Sequence, residues 1–289
     1  MKQDHRQHLT SGERAGERYV LTVPHDALAG YMGTRTGHLA GSSIDFRDYR
    51  EYQPGDDLRH IDWHVYARTD RLTVKLYREE VYPHVDIVLD GSRSMSLDGT
   101  KKAEAALGVA ALFAVAASNA HCTHRAWLAA SRIREVANSS QSPSAWDDLA
   151  FDFSGNPAEA FQQPPAWRKR GIRVLLSDLL WLGDPLSALQ PLSHGAAAVI
   201  VVQLLGQADM EPPTAGNIRL RDVENDERLE MFIDAVARSR YTDALTAHQQ
   251  NWHRACRQVG AVFVTLVAER VLGDWSLPAL EAAQILEPA

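Results

Sequence analysis

The sequence has only two cysteines among its 289 residues, Cys122 and Cys256, and they lie far apart. Their separation fits no metal-binding or redox spacing, so we interpret them as small core residues in a reducing compartment. The chain also lacks Gly-x-Gly-x-x-Gly and Gly-Lys-Ser/Thr motifs, which leaves a nucleotide pocket unsupported. A net charge of −7 argues against a general nucleic-acid-binding protein, because such a protein needs a basic face.

Long hydrophobic runs and a secretory signal are also missing. The first twenty residues are polar and charged, with no apolar centre. The longest apolar stretch, Ala105 to Ala117, is shorter than the roughly 20 residues that a bilayer-spanning helix needs. We therefore expect no membrane segment and a cytoplasmic location. The composition, with 45% apolar and 23% charged residues, is typical of a globular protein.

The chain does contain an apolar strand that ends in oxygen donors. Val85 to Leu89 is a β-branched run interrupted only by Asp86, which predicts a buried strand. Asp90, Ser92 and Ser94 follow at its carboxyl end, where open α/β sheets bind ligands. Oxygen ligands suit a hard cation such as Mg²⁺, so this Asp-x-Ser-x-Ser segment is a candidate metal site. The alternative is a strand-to-helix turn whose polar side chains only cap backbone N–H groups.

Predicted strands and helices alternate from Pro83 onward, which favours a doubly wound, mostly parallel α/β sheet with helices on both faces. Further buried strands are predicted at 172–176, 197–205 and 262–266, and a long helix is predicted to end at Gly260. We divide the chain into a mobile tail (1–20), an accessory β lobe (21–82) and the α/β domain (83–289).

A second group of motifs lies about thirty residues upstream of Asp90. It comprises Gly37-His38, Phe46-Arg47-Asp48-Tyr49-Arg50, Tyr52-Gln53-Pro54-Gly55-Asp56-Asp57-Leu58-Arg59, Ile61-Asp62-Trp63 and Ala67-Arg68. Together with Asp-x-Ser-x-Ser, these motifs resemble the bacterial family called domain of unknown function 58. Members of that family are von Willebrand factor A-like and are often encoded beside MoxR-type AAA+ ATPases. The resemblance implies a sheet of von Willebrand A type with an N-terminal accessory β lobe, and a MoxR-type ATPase as partner.

The resemblance also implies a metal-ion-dependent adhesion site (MIDAS) built from three loops. By analogy, Ser92 and Ser94 would bind Mg²⁺, or alternatively Mn²⁺ or Ca²⁺, directly. Asp90 and Asp178, the latter following the predicted strand 172–176, would act through water or by accepting hydrogen bonds behind the metal. The second loop of such sites normally supplies a threonine, and here Ser154 is the candidate among several serines. Without that threonine we expect weak metal binding at best.

Two classes of function follow from these residues. The first is a non-enzymatic interaction or adaptor module, in which an Asp or Glu of the partner completes the metal's coordination. The alternative is a metal-dependent hydrolase or phosphatase with Asp90 as nucleophile. Against it, Ser92 stands where that chemistry has a second Asp, and no Gly-x-Ser-x-Gly elbow is present. A third interpretation keeps the fold with no metal at all.

The accessory lobe carries its own polar cluster. His60, Asp62 and His64 would share one face of a strand, either as a metal triad or tied into salt bridges, and we favour the salt bridges. We expect Ile61 and Trp63 to enter a core. The neighbouring charges would then form a network that pins the lobe to the sheet, or else a docking surface for the ATPase; they are Asp56, Asp57, Arg59 and Asp62.

Overall fold

The computed structural model describes residues 3–23, 44–54, 56, 58, 61–79, 83–211, 215–221 and 228–289. The chain forms two compact units, one within 1–27 and 83–289 and the other within 28–82. The strands are β1 (Tyr19–Leu21), β2 (Ile44–Glu51), β3 (Thr73–Glu79), β4 (His84–Asp90), β5 (Thr123–Ala129), β6 (Ile133–Glu135), β7 (Ile172–Ser177), β8 (Ala198–Leu205), β9 (Gly216–Arg221), β10 (Arg228–Ile233), β11 (Val262–Val267) and β12 (Leu286–Pro288). The helices are α1 (Gln3–Gly16), α2 (Trp63–Thr69), α3 (Lys102–Asn119), α4 (Leu186–Ser193), α5 (Gln207–Met210), α6 (Ala235–Val259), α7 (Ala268–Asp274) and α8 (Pro278–Ala282).

A six-stranded sheet forms the centre of the larger unit, in the order β11-β8-β7-β4-β5-β6. Neighbouring strands are parallel except β6, which runs antiparallel to β5 at one edge. Every residue of β4 is buried, as its continuous apolar run predicts for a strand covered on both faces. The predicted mixed α/β architecture with a mostly parallel sheet is confirmed.

Two apolar cores lie against this sheet. The first contains most of α3, which is buried nearly all round, as well as residues of α7 and α8. The second is formed under α4 and α6 and includes Phe161 and Trp252. Helices therefore cover both faces of the sheet. Both cysteines are free and buried. In the described part of the chain, no helix is both long and apolar enough to cross a membrane.

The N-terminal segment differs from the mobile tail that its polar composition predicts. Residues 3–16 form α1, and β1 pairs antiparallel with β12. Leu9 is fully buried in the first core. Gly12 lies so near α3 that a Cβ built on it would be 2.1 Å from the carbonyl oxygen of Gly108. The close approach of the two helices is therefore possible because glycine lacks a side chain.

The smaller unit contains the antiparallel pair β2-β3 and helix α2. Ile61 is buried and pairs with Val74. Asp62 caps α2, because its Oδ1 accepts from the backbone N–H groups of His64 and Val65. His64 thus lies on a helix and the expected strand arrangement is wrong, while His60 lies outside the described residues.

The prediction that Trp63 enters a core is also wrong, since its relative exposure is 59%. As the first residue of α2, Trp63 packs edge-on against Tyr66 instead. Asp56 forms a two-pronged ion pair with Arg50, at 2.7 and 2.9 Å. The other expected network members, Asp57 and Arg59, lie outside the described residues.

Candidate site at the carboxyl edge of the sheet

Strands β4 and β7 are parallel neighbours and end at Asp90 and Ser177, so the loops that follow them meet at the same edge. In the first loop, the hydroxyl groups of Ser92 and Ser94 form a hydrogen bond with each other, with their oxygens 3.0 Å apart. The backbone N–H of Asp178 donates to the Sδ atom of Met95 at 3.2 Å, which joins the two loops. The structure thus brings Asp90, Ser92, Ser94 and Asp178 to one edge of the sheet.

Asp90 is fully buried and accepts hydrogen bonds on both carboxylate oxygens. Its Oδ1 accepts from the backbone N–H of Ser92 at 2.8 Å. Its Oδ2 accepts from the hydroxyl of Ser177 at 2.5 Å and from the indole N–H of Trp181 at 2.9 Å. Burial, together with the nearby charge of Asp178, raises the pKa of Asp90 to about 6, although its hydrogen bonds oppose the shift.

Asp178 is also fully buried, and its partner is a lysine. The Nζ atom of Lys102 lies 2.9 Å from Oδ2 of Asp178 and 3.1 Å from Oδ2 of Asp209. Burial of Lys102 works against its charge, but the attraction of the two carboxylates outweighs it and raises the pKa of the ammonium group. The Oδ1 atom of Asp178 accepts from the backbone N–H of Leu180 at 3.1 Å.

Side chains of β8 and α6 hold the backbone of Asp178 and Leu179 in place. Gln203, fully buried on β8, donates to the carbonyl of Asp178 at 3.1 Å and accepts from Gln249 of α6 at 3.0 Å. His248 of the same helix donates through Nε2 to the carbonyl of Leu179 at 2.7 Å. These contacts connect the loop after β7 to β8 and α6.

Ser154 lies beside the first loop but does not join the hydroxyl pair. Its neighbour Phe153 pairs with Ser92 in a parallel bridge, while Ser154 itself is exposed. Two other serines of this segment are engaged elsewhere, since Ser139 donates to Glu135 and Ser142 to Glu13.

The oxygen atoms of Asp90, Ser92, Ser94 and Asp178 can be compared with the coordination geometry that a small divalent cation requires. Adjacent ligands of an octahedral Mg²⁺ ion, bound at 2.0–2.1 Å, lie about 3 Å apart, which matches the 3.0 Å between the Ser92 and Ser94 oxygens. The carboxylates of Asp90 and Asp178 already accept hydrogen bonds within the protein, so they could contribute to a metal only indirectly, from behind the hydroxyls. Within the described residues, no group of three or more His, Cys, Asp or Glu side chains could hold a metal. The fit therefore rests on the two hydroxyls, supported by buried carboxylates.

Exposed leucines lie on the same two loops as these polar residues. Leu97 ends the first loop, and Leu180 and Leu182 follow Asp178. Their relative exposures are 36%, 43% and 86%. The same loops thus carry buried polar groups and exposed large apolar side chains, a combination found at protein-interaction surfaces. We call this surface the edge face, defined by residues 92–97 and 178–182.

Three members of this network, Lys102, Trp181 and Asp209, could not be recognised from the sequence. Lys102 stands beside a second lysine at a helix start, and nothing local distinguishes the buried one from the exposed one. Trp181 follows Asp178 by three residues, but its pairing with Asp90 depends on the adjacency of β4 and β7. Asp209 lies on α5, more than a hundred residues beyond Lys102, and no motif marks it.

Comparison with known proteins gives matches to proteins without assigned roles. The sequence profile of the family described as "Protein of unknown function DUF58" matches residues 48–251, more than half of the chain. Uncharacterised proteins of Mycobacterium bovis and Mycobacterium tuberculosis are each 29% identical over 277 residues, covering 88% of this chain and 83% of theirs.

Two solved structures are also similar to this chain. The protein BatB from Bacteroides thetaiotaomicron is 14% identical, with a TM-score of 0.36 and coverage of 70% of this chain and 95% of its own. An aerotolerance-related membrane protein from Bacteroides fragilis is also 14% identical, with a TM-score of 0.38 and coverage of 69% and 99%.

Proposed function

The chain belongs to the DUF58 family of proteins of unknown function, and from this premise we propose that it is a non-enzymatic protein-interaction module that binds through the edge face. A single observation carries the proposal: Leu97, Leu180 and Leu182 are exposed on the two loops that hold the buried polar network. Large apolar side chains gain free energy when a partner covers them, at about 25 cal/mol per Å² of apolar surface. The network below holds the loops in place, which lowers the entropy cost of binding.

The hydroxyl pair gives this face a polar centre. Ser92 and Ser94 would hold a divalent cation weakly, with water filling the remaining positions. Asp90 and Asp178 would act only through water behind the two hydroxyls, since both carboxylates already accept hydrogen bonds within the protein. Such a cation would offer an open coordination position to a carboxylate of the partner. Ser94 is half-buried at the surface end of the pair, whereas Ser92 is buried. An incoming carboxylate would therefore approach from the side of Ser94.

The burial of Asp90 counts against the alternative, a metal-dependent hydrolase or phosphatase. A nucleophile needs a lone pair that faces the substrate. Both oxygens of Asp90 already accept hydrogen bonds, and the residue has no exposed surface. We therefore expect no turnover with generic phosphatase or esterase substrates.

The proposed partner is a MoxR-type AAA+ ATPase, an assignment based on the family resemblance, and it would meet the chain in the cytoplasm. The test measures its affinity for the purified chain by biolayer interferometry, with Mg²⁺ present. Replacing both Leu180 and Leu182 by Ser should weaken binding by about 2 kcal/mol or more, because a partner that covers the edge face would bury both apolar side chains.

The matched control is Leu229→Ser, since Leu229 is 59% exposed on the hairpin β9-β10, outside the edge face. It should leave the affinity unchanged. Equal losses in the double variant and in the control would contradict the edge face as the binding surface. Absence of binding by the wild-type chain would remove the ATPase as the partner.

A further inference from the structure

We propose that Lys102 is a built-in cation of the edge face: its ammonium group binds Asp178 and Asp209 and cross-links their segments, a role that a divalent metal could otherwise have. The proposal rests on the proposed function only in taking the edge face as the functional surface. It concerns the third loop of the site, and its test involves no partner protein.

Lys102 lies where it can reach several segments at the carboxyl edge of the sheet. It is the first residue of α3, directly after the loop of Ser92 and Ser94. Its side chain reaches Asp178 on the loop after β7 and Asp209 on α5. One ammonium group therefore connects three segments, which are the start of α3, the loop after β7, and α5.

Lys102 and Asp178 form a buried ion pair. Lys102 is 1% exposed and Asp178 is fully buried. A buried ion costs several kcal/mol unless opposite charges and hydrogen bonds compensate it. Two carboxylates at 2.9 and 3.1 Å supply that compensation to the ammonium. Conversely, removing the ammonium would leave Asp178 buried beside Asp209 without a cation.

The contacts of Asp178 limit its capacity to support a bound metal. The Oδ2 atom of Asp178 is occupied by Lys102, and its Oδ1 by the backbone N–H of Leu180. Asp178 therefore has little capacity left to orient the water of a metal at the hydroxyl pair. Groups behind the ligands typically change metal affinity by about 10–100-fold. The lysine accordingly stabilises the loops without a metal and keeps the affinity for divalent cations low.

The test asks whether Mg²⁺ can replace the ammonium group of Lys102. The variant is Lys102→Met, which keeps a long apolar side chain and removes the charge. Calorimetric titration with Mg²⁺ and Mn²⁺ should show binding at least about tenfold tighter than in the wild-type chain. The variant should lose thermal stability in EDTA and regain it in MgCl₂, compared with NaCl at the same ionic strength of about 0.15 M. The wild-type melting temperature should rise much less in MgCl₂, relative to NaCl, than that of the variant.

Two controls separate this effect from general damage. Lys101→Met removes the adjacent lysine, whose side chain is 57% exposed and pairs with Glu104, and it should behave as the wild-type chain. Lys102→Met combined with Asp178→Asn removes both charges and should show no gain in Mg²⁺ affinity. If Lys102→Met is unfolded in EDTA, refolding in MgCl₂ but not in NaCl is the expected result.

Three outcomes would overturn the proposal. One is equal Mg²⁺ affinity in Lys102→Met and the wild-type chain, and another is loss of stability that Mg²⁺ does not restore. The third is a wild-type chain whose melting temperature rises with Mg²⁺ as much as that of Lys102→Met. Because no ATPase is present, each outcome is independent of the test of the proposed function.

Discussion

The indole N–H of Trp181 donates to Oδ2 of Asp90 at 2.9 Å, and both residues lie inside the protein. Hydrogen bonds to charged acceptors contribute about 1.5–3 kcal/mol. Trp181→Phe removes this donor while keeping an aromatic ring against Phe161 and Trp252. We expect the free energy of unfolding, measured by urea denaturation at neutral pH, to fall by about that amount in addition to the effect of the smaller ring.

Trp252→Phe provides the matched control. Trp252 is also buried, but among the described residues its indole N–H has no hydrogen-bond acceptor. Its replacement therefore loses ring volume but no hydrogen bond. Equal destabilisation by the two substitutions would show that the bond to Asp90 contributes nothing.

The carboxyl group of Asp90 should make stability depend on pH in the acidic range. Its folded pKa is raised to about 6 by burial and by the charge of Asp178, whereas an Asp in an unfolded chain has a pKa of about 4. The folded chain therefore binds more protons between these values, and the stability due to this proton is complete below about pH 4 and lost as the pH rises through about 6. The total change is about 2–3 kcal/mol.

Asp90→Asn isolates this contribution, because the amide does not titrate. We expect the difference in unfolding free energy, wild type minus Asp90→Asn, to decrease between pH 4 and pH 7. Chemical denaturation at several pH values in EDTA measures it. Parallel pH profiles for the two proteins would contradict the raised pKa.

Gly12 tests the packing of the N-terminal helix. A Cβ at this position would lie 2.1 Å from the carbonyl oxygen of Gly108, and backbone atoms of α3 cannot easily move away. Gly12→Ala should therefore destabilise the protein by about 1–3 kcal/mol, the usual cost of overpacking. If residues 1–20 were a mobile tail, the substitution would have no effect.

Gly273→Ala is the companion substitution, measured by the same urea denaturation. Gly273 lies in α7, and a Cβ there would meet no atom within 4 Å. The alanine should stabilise the helix by about 0.5–1 kcal/mol. Opposite signs for the two glycine substitutions are therefore expected.

The regular elements of the larger unit could be predicted because their signals are local. The apolar run of β4 and the helical periodicity of α6 stand in the sequence itself. Gly260, at which the predicted helix ends, adopts the left-handed conformation with φ of 71°. Such features need no knowledge of distant residues.

Helix α1 and the buried lysine could not be predicted in the same way. Helix α1 is polar, with Leu9 and Ala15 as its buried apolar residues, so its position depends on a close fit to α3. Lys101 and Lys102 are identical in type and adjacent. Only the orientation of α3 and the presence of Asp209 decide which of the two is buried.

The edge face as the binding surface is tested most directly by hydrogen–deuterium exchange of the chain with and without the MoxR-type ATPase. We expect new protection of backbone amides in residues 92–97 and 178–182, because a bound partner would cover these loops. The hairpin β9-β10 should exchange at the same rate in both samples. Protection confined to this hairpin or to α2, with residues 92–97 and 178–182 unchanged, would contradict the account.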